Sequence, residues 1–276
     1  MKILLTGSDG QLGKEFSKIK LINYKTNKKD FDITNYYQMK EFIEKNKITH
    51  ILNTAAYTDV ENAEIKKQYT LEVNNPENLI EICKEYNIKL IHFSTDYVFN
   101  GKKINYTEKD ETNPINYYGY SKLLGEKNIQ RKLKNYLILR TSWLYGEKEN
   151  NFIKKIIKNT ENNEIIKGTI DEISSPTNVK DLLIPTLKLL EKDSVGIYHI
   201  SGDGICSRYL WIKYILKYLQ RNNKLERVYQ KDFKLIAKRP IISVLSNEKI
   251  KNELNIKINH WKYSTFEYIN FLKTNS

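Results

Sequence analysis

Cysteine is scarce in this 276-residue chain: Cys83 and Cys206 stand far apart and in no spacing that a zinc site uses. No disulfide scaffold or metal site follows, and each thiol is expected as a small buried apolar residue. Long apolar runs are missing as well. With a mean hydropathy of -0.60, no stretch reaches the length that crosses a bilayer, and Met1-Lys2-Ile3-Leu4-Leu5-Thr6-Gly7 is too short in its apolar part for a secretory signal. A cytoplasmic protein with no membrane partner is expected. Internal repeats, low-complexity linkers and Pro/Gly hinges are also absent, so any two lobes should share a cleft rather than drift apart.

Acidic residues are outnumbered. Lysine and arginine total 46 against 33 aspartates and glutamates, a net charge of +13, which raises nucleic acid, a membrane surface or a phosphorylated small molecule as partners. The lysines are scattered, and no Cys/His finger, basic-region heptad or aromatic RNA-binding signature accompanies them. A solvated lysine-rich surface is the simplest reading, and nucleic acid is not an expected partner.

What is present is a rhythm. Short apolar runs at Ile3 to Leu5, Ile51 to Asn53, Leu90 to Phe93, Tyr136 to Arg140 and Gly196 to Ile200 alternate with segments of helical period at Gln11 to Ile19, Tyr36 to Lys45 and Pro76 to Tyr86. Parallel strands need crossovers and bury both faces, so the alternation predicts an α/β fold, a Rossmann-like doubly wound parallel sheet. Between Trp143 and Asn178, and again after Gly202, the rhythm gives way to helices such as Tyr209 to Leu219 and Tyr263 to Leu272 with irregular connections. This predicts a dinucleotide-binding domain from residues 1–142 and 179–201, and a smaller substrate-binding lobe from 143–178 and 202–276.

Three stretches carry chemistry. Thr6-Gly7-Ser8-Asp9-Gly10-Gln11-Leu12-Gly13 lies between the first strand and the first helix, where glycines let the chain turn tightly and bring backbone N–H groups to a pyrophosphate. Asp30 and Asp32 fall where the adenosine half of a dinucleotide lies, while Lys25, Lys28 and Lys29 are placed to pair with a 2′-phosphate; NAD and NADP both stay open. In Tyr118-Gly119-Tyr120-Ser121-Lys122 the tyrosine and lysine are one helical turn apart, and an ammonium beside a phenol favours phenolate. Ser94-Thr95-Asp96-Tyr97-Val98-Phe99 ends an apolar strand on the ligand-binding edge, where a hydroxyl can polarise a substrate carbonyl.

Together these stretches resemble the extended short-chain dehydrogenase/reductases, and among them the dTDP-4-dehydrorhamnose reductase family. The resemblance continues through Asp32-Ile33-Thr34, Asn53-Thr54-Ala55-Ala56-Tyr57-Thr58, Arg140-Thr141-Ser142-Trp143-Leu144-Tyr145-Gly146, and Arg239-Pro240 followed by Ser243. It implies that Tyr118 donates a proton, that Lys122 lowers its pKa and holds the nicotinamide ribose, and that Thr95 polarises the ketone. It further implies cofactor contacts at Gly7, Gly10, Gln11, Leu12 and Gly13, with Gly10, Gln11 and Leu12 at the pyrophosphate. Asp32 and Ile33 would lie near the adenine, Thr54, Ala55 and Ala56 at the nicotinamide side, and Asp96 and Trp143 at the sugar. Arg239 is the candidate for the substrate diphosphate, because a guanidinium matches phosphate oxygens bidentately. Thr54 and Tyr57 stand where alanine and histidine are usual, and Arg208 where a tryptophan is common.

The implied reaction is reduction of a C4 ketone in dTDP-4-dehydro-L-rhamnose by NADPH or NADH, with the sugar nucleotide as partner and a homodimer possible. Rival readings are a reductase for another nucleotide-linked 4-keto-6-deoxysugar and a non-catalytic, cofactor-binding regulatory subunit.

Overall fold

The computed structural model describes residues 1–148, 151–162 and 164–274. In chain order the first elements are β1 (Ile3–Thr6), α1 (Gln11–Phe16), β2 (Ile22–Thr26), α2 (Tyr36–Asn46), β3 (His50–Asn53), α3 (Val60–Ile65), α4 (Lys67–Asn74) and α5 (Glu77–Glu85). Then come β4 (Lys89–Thr95), α6 (Tyr117–Lys132), β5 (Tyr136–Thr141), β6 (Leu144–Tyr145), α7 (Phe152–Asn162), β7 (Ile165–Thr169), β8 (Ile173–Ser174) and β9 (Thr177–Asn178). The last are α8 (Leu183–Glu191), β10 (Gly196–His199), β11 (Cys206–Ser207), α9 (Arg208–Leu219), β12 (Lys224–Val228), α10 (Glu248–Leu254) and α11 (Trp261–Thr274).

Six strands form one sheet in the order β2-β1-β3-β4-β5-β10, and every neighbouring pair is parallel. Alternate side chains therefore serve two cores. Ile3 and Leu5 of β1 join Phe16, Leu182, Leu189 and Tyr198 on one face, while Leu4 joins Met39, Ile43, Ile80, Cys83 and Ile129 on the other. From β1 the chain goes outward to β2 and then returns to β3 on β1's other side. That reversal leaves a crevice beyond Thr6 and Asn53, at the carboxyl ends of the strands.

A third core, around Trp143, Tyr145, Ile156, Trp211, Trp261 and Tyr268, belongs to the smaller lobe. Its frame is a parallel pairing of β7 with β12 that joins chain segments more than fifty residues apart. Cys206 is buried there and Cys83 of α5 in the core beneath the sheet, both as free thiols. One expected boundary needs correction. Helix α10 falls within 202–276, yet its Ile250 and Leu254 pack in the sheet's core with Leu189 and Tyr198, because α10 lies against α8 and β10. Residues 149, 150, 163, 275 and 276 of the expected lobe lie outside the described residues. Among the described residues, no helix is long and apolar enough to cross a membrane.

Candidate active site

The glycine loop turns at Gly7, whose φ of +72° only glycine adopts without strain. A Cβ there would also meet the Ala55 nitrogen at 2.6 Å, so the loop after β1 and the loop after β3 touch backbone to backbone. Gly10 caps α1 without a side chain, which leaves the first-turn N–H groups open to the crevice. Gly13 faces inward, where a Cβ would stand 2.0 Å from the Gly7 oxygen, so it seats α1 on the loop.

Two adjoining cavities, of about 400 and 490 Å³, share Gly10, Thr54, Ala55 and Ala56 and together make one elongated cleft. The first also exposes Gly7, Asp32 and Ile33, together with Lys28 and Tyr69. Asp32 spends one carboxylate oxygen on the Thr34 N–H and hydroxyl, at 2.9 and 2.7 Å, and Asp30 accepts from the Asn27 N–H. Lys28 lies over the Tyr69 ring, its Nζ 5.2 Å from the centroid. This end of the cleft thus presents Lys28 beside Asp32, whose carboxylate is already engaged with its own turn.

The second cavity gathers Gln11, Leu12, Thr95, Asp96, Tyr118, Lys122, Trp143 and Arg239. Asn116 starts α6 by accepting from the Gly119 N–H at 2.8 Å. Gly119 then lets the helix press on the turn after β4, since a Cβ there would meet the Tyr97 oxygen at 2.1 Å. This contact brings Tyr118 beside Thr95, while Lys122, one turn on, reaches back to β4 and places its Nζ 3.1 Å from His92 Nε2. Burial pushes the Tyr118 phenol up to about 12, with its contact to Thr95 pulling the other way. Burial lowers the Lys122 amine to about 8, against the field of Glu126. Without cofactor, burial dominates both groups, and the amine faces a histidine.

Asp96 and Trp143 line the cleft but are not free to serve a ligand alone. The Asp96 carboxylate accepts from the hydroxyls of Ser243, Ser174 and Thr95, and burial raises it to about 6 despite those bonds. It ties the turn after β4 to β8 and to the segment before α10. Trp143 sits at φ +41°, a conformation a bulky residue keeps only when its surroundings over-determine it. Here Trp211 stacks at 5.8 Å and the Arg208 guanidinium lies 3.5 Å over the ring, itself bonded to Glu172 at 3.1 Å. Arg239 is bonded to Glu61 at 2.9 Å. Its charge is already partnered in this state.

The cleft also carries unmet polar groups. Ser94 Oγ, Thr141 Oγ1 and Trp143 Nε1 are buried without a hydrogen-bond partner among the described residues, and all three residues line the second cavity. Buried polar atoms normally have partners. Their presence together in the lining of this cavity fits a cleft built to hold a polar ligand.

Residues 1–274 match the family described as RmlD substrate binding domain. The chain belongs to this family. It is 34% identical to the dTDP-4-dehydrorhamnose reductase of Aggregatibacter actinomycetemcomitans, over 95% of this chain and 96% of that protein. The crystal structure of a dTDP-4-dehydrorhamnose reductase from Clostridium acetobutylicum superposes with a TM-score of 0.94 at 34% identity, covering 99% of this chain and 100% of that one. A Bacillus anthracis dTDP-4-dehydrorhamnose reductase solved in complex with NADP has a TM-score of 0.92 at 32% identity, with 98% and 99% covered. Within this RmlD-type frame, the sequence assigned no site role to Asn53, Ser94, Lys148 and Arg208, which line the second cavity, nor to His92, which meets Lys122. Only His92 left a signal: a histidine two residues before Ser94 in an otherwise apolar strand lies on the same face as that serine.

Proposed function

We propose that this chain reduces the C4 ketone of dTDP-4-dehydro-L-rhamnose to dTDP-L-rhamnose with NADPH or NADH. The observation that carries this reading is the meeting of Thr95, Tyr118 and Lys122 in the same cavity as Gly10, Gln11 and Leu12 of the glycine loop; family membership supports it. When bound, the nicotinamide supplies hydride to the ketone carbon. Gly10, Gln11 and Leu12 would hold the pyrophosphate, Asp32, Ile33 and Lys28 the adenosine end, and Ala55, Ala56 and Lys122 the nicotinamide side. Thr95 orients the ketone oxygen, and Tyr118, still a phenol well above neutral pH, gives it a proton. Asp96 and Trp143 shape the sugar's wall, and Arg239 takes the substrate diphosphate by exchanging Glu61 for phosphate oxygens.

The test is oxidation of NADPH and of NADH with dTDP-4-dehydrorhamnose made in situ, against the UDP analogue. Turnover of the dTDP sugar supports the reading, and turnover of the UDP sugar alone moves it to another nucleotide sugar. Binding of NADPH with no ketone reduced would favour a regulatory subunit.

A further inference from the structure

Arg208 has so far appeared only as a support for Trp143, yet its guanidinium is largely unspent. It lines the second cavity with Thr95, Asp96, Trp143 and Arg239, and its side chain is 16% exposed. Glu172 accepts from its Nε at 3.1 Å, and among the described residues no hydrogen bond engages its two terminal nitrogens. Glu172 is absent from the cavity's lining, so this carboxylate orients the guanidinium without closing the cleft. The rings of Trp143 and Phe152, 3.5 and 4.7 Å from the guanidinium carbon, fix its place further. Trp143 Nε1, beside it in the same lining, is buried without a partner.

Arg239 repeats the arrangement. Its partner Glu61, at 2.9 Å, is likewise outside the lining, and the fields of both arginines reach the Tyr97 phenol, where they oppose the rise that burial causes. The other charged groups of the lining are Lys122, Lys148 and Asp96, and the Asp96 carboxylate is spent on hydroxyls. The cavity is thus strongly cationic, with two oriented guanidiniums in it.

We propose that Arg208 is a substrate-binding residue whose terminal nitrogens donate to the sugar-linked phosphate of a nucleoside diphosphate sugar, next to the phosphate that Arg239 takes. A planar guanidinium fork matches two oxygens of one phosphate, and two such forks in one cavity match the two phosphates of a diphosphate. The sugar-linked phosphate falls to Arg208 because this residue lies on Trp143, the wall proposed for the sugar, and its field reaches Asp96 next to Thr95. Arg239 is instead tied to Glu61 of α3. Arg208 can bind without giving up Glu172, since only Nε is used there, and a side chain already held in place loses little freedom on binding. The inference rests on the proposed function for its substrate class, a sugar joined to a nucleoside through a diphosphate.

The test is calorimetry on the full chain saturated with NADPH, which keeps other nucleotides out of the glycine cradle, with dTDP and dTMP as probes and UDP and UMP in parallel. Wild type should bind the diphosphate of a pair more tightly than its monophosphate; no such preference in either pair overturns the proposal. Arg208→Met, whose thioether can stay on the Trp143 ring, should weaken the diphosphate about tenfold or more while the monophosphate and NADPH stay within about threefold. Equal losses for diphosphate and monophosphate also overturn it, because a disturbed lobe acts on both. Since the variant strands Glu172, Arg208→Met combined with Glu172→Gln is measured beside it, and decides alone if the single variant does not fold. The loss should persist in the double variant; recovery of diphosphate affinity would show that Arg208 only neutralises a carboxylate, and overturns the proposal. Diphosphate selectivity that depends on Arg208, in a chain that reduces no 4-keto sugar nucleotide, would remove the proposed reaction and leave this contact standing.

Discussion

Tyr118 and Trp143 show how one residue's environment sets what a substitution reads. Tyr118→Phe removes a single oxygen from a ring that stays packed edge-on against Tyr97 at 6.0 Å. General acid catalysis contributes about 10²–10⁴-fold, so kcat for ketone reduction should fall by that much while NADPH affinity, measured by fluorescence, stays near wild type. An unchanged kcat would place the proton donor elsewhere. Trp143→Ala removes both a cleft wall and the ring between Arg208 and Trp211. Truncating a buried tryptophan costs about 3–5 kcal/mol, so a lowered melting temperature should accompany the rise in KM for the sugar nucleotide. A change in KM with no loss of stability would mean that the stack contributes little to the lobe.

Helix α6 is the element that converts packing into chemistry. Tyr118, Lys122 and Glu126 repeat at one-turn spacing on one face, and the last of them is bound at both oxygens by Arg140, at 2.9 and 2.6 Å, with both side chains buried. His199 Nε2 sits 3.4 Å from the same guanidinium. A buried pair is weak support for stability as a pair, but breaking one costs about 3–5 kcal/mol because the other charge stays behind. Glu126→Gln should therefore lower the urea midpoint and, by loosening α6 on β4 and β5, lower kcat as well. Unaltered stability would show that water or His199 replaces the lost partner. At the other end of the sheet, Gly13→Ala puts a methyl where the Gly7 oxygen stands, so NADPH affinity should drop with kcat on saturated enzyme less affected.

Charge acts over the whole molecule through groups that folding removes from water. Burial drives the ring of His199 down to about 3 and that of His92 well below its ordinary value. For such rings the unfolded chain takes up the proton first, so their contribution is fully present above about pH 6.5 and is lost as pH falls toward the folded values. Asp96, raised to about 6, runs the opposite way: its folded form binds the proton better, which disfavours folding as pH rises from about 4 to 6. His50 is lowered along with these rings and Asp181 raised along with Asp96, so three rings stand against two carboxylates and stability should fall on acidification below about pH 6.5. Urea midpoints at pH 7.5, 6 and 5 check this, and a midpoint that rises toward acid would contradict it. At the adenosine end, exposed Lys28 is the available cation, and NADPH should be preferred over NADH by less than about a hundredfold. Lys28→Ala should reduce that preference by about threefold to tenfold; no change in the ratio would assign the 2′-position to other groups.

The parallel sheet, the glycine loop and the Tyr118–Lys122 pair were legible because each depends on local order: apolar runs of strand length, helical spacing, and glycines between a strand and a helix. Strand β2 was not, since Asn23 to Lys25 on this edge strand stay in contact with solvent and interrupt any apolar run. The pairing of β7 with β12 was equally hidden, because register between distant segments leaves no trace in either alone. What only the tertiary structure decided is who faces whom. Gly13 packs against the Gly7 oxygen, Asp96 spends its carboxylate on hydroxyls from three segments, Arg239 meets Glu61, and a histidine thirty-nine residues from Asn53 and thirty from Lys122 lies between them. Spacing along the chain determines secondary structure through local geometry, whereas the protonation state of a buried group is set by whatever donors and acceptors the fold brings within about 3 Å of it.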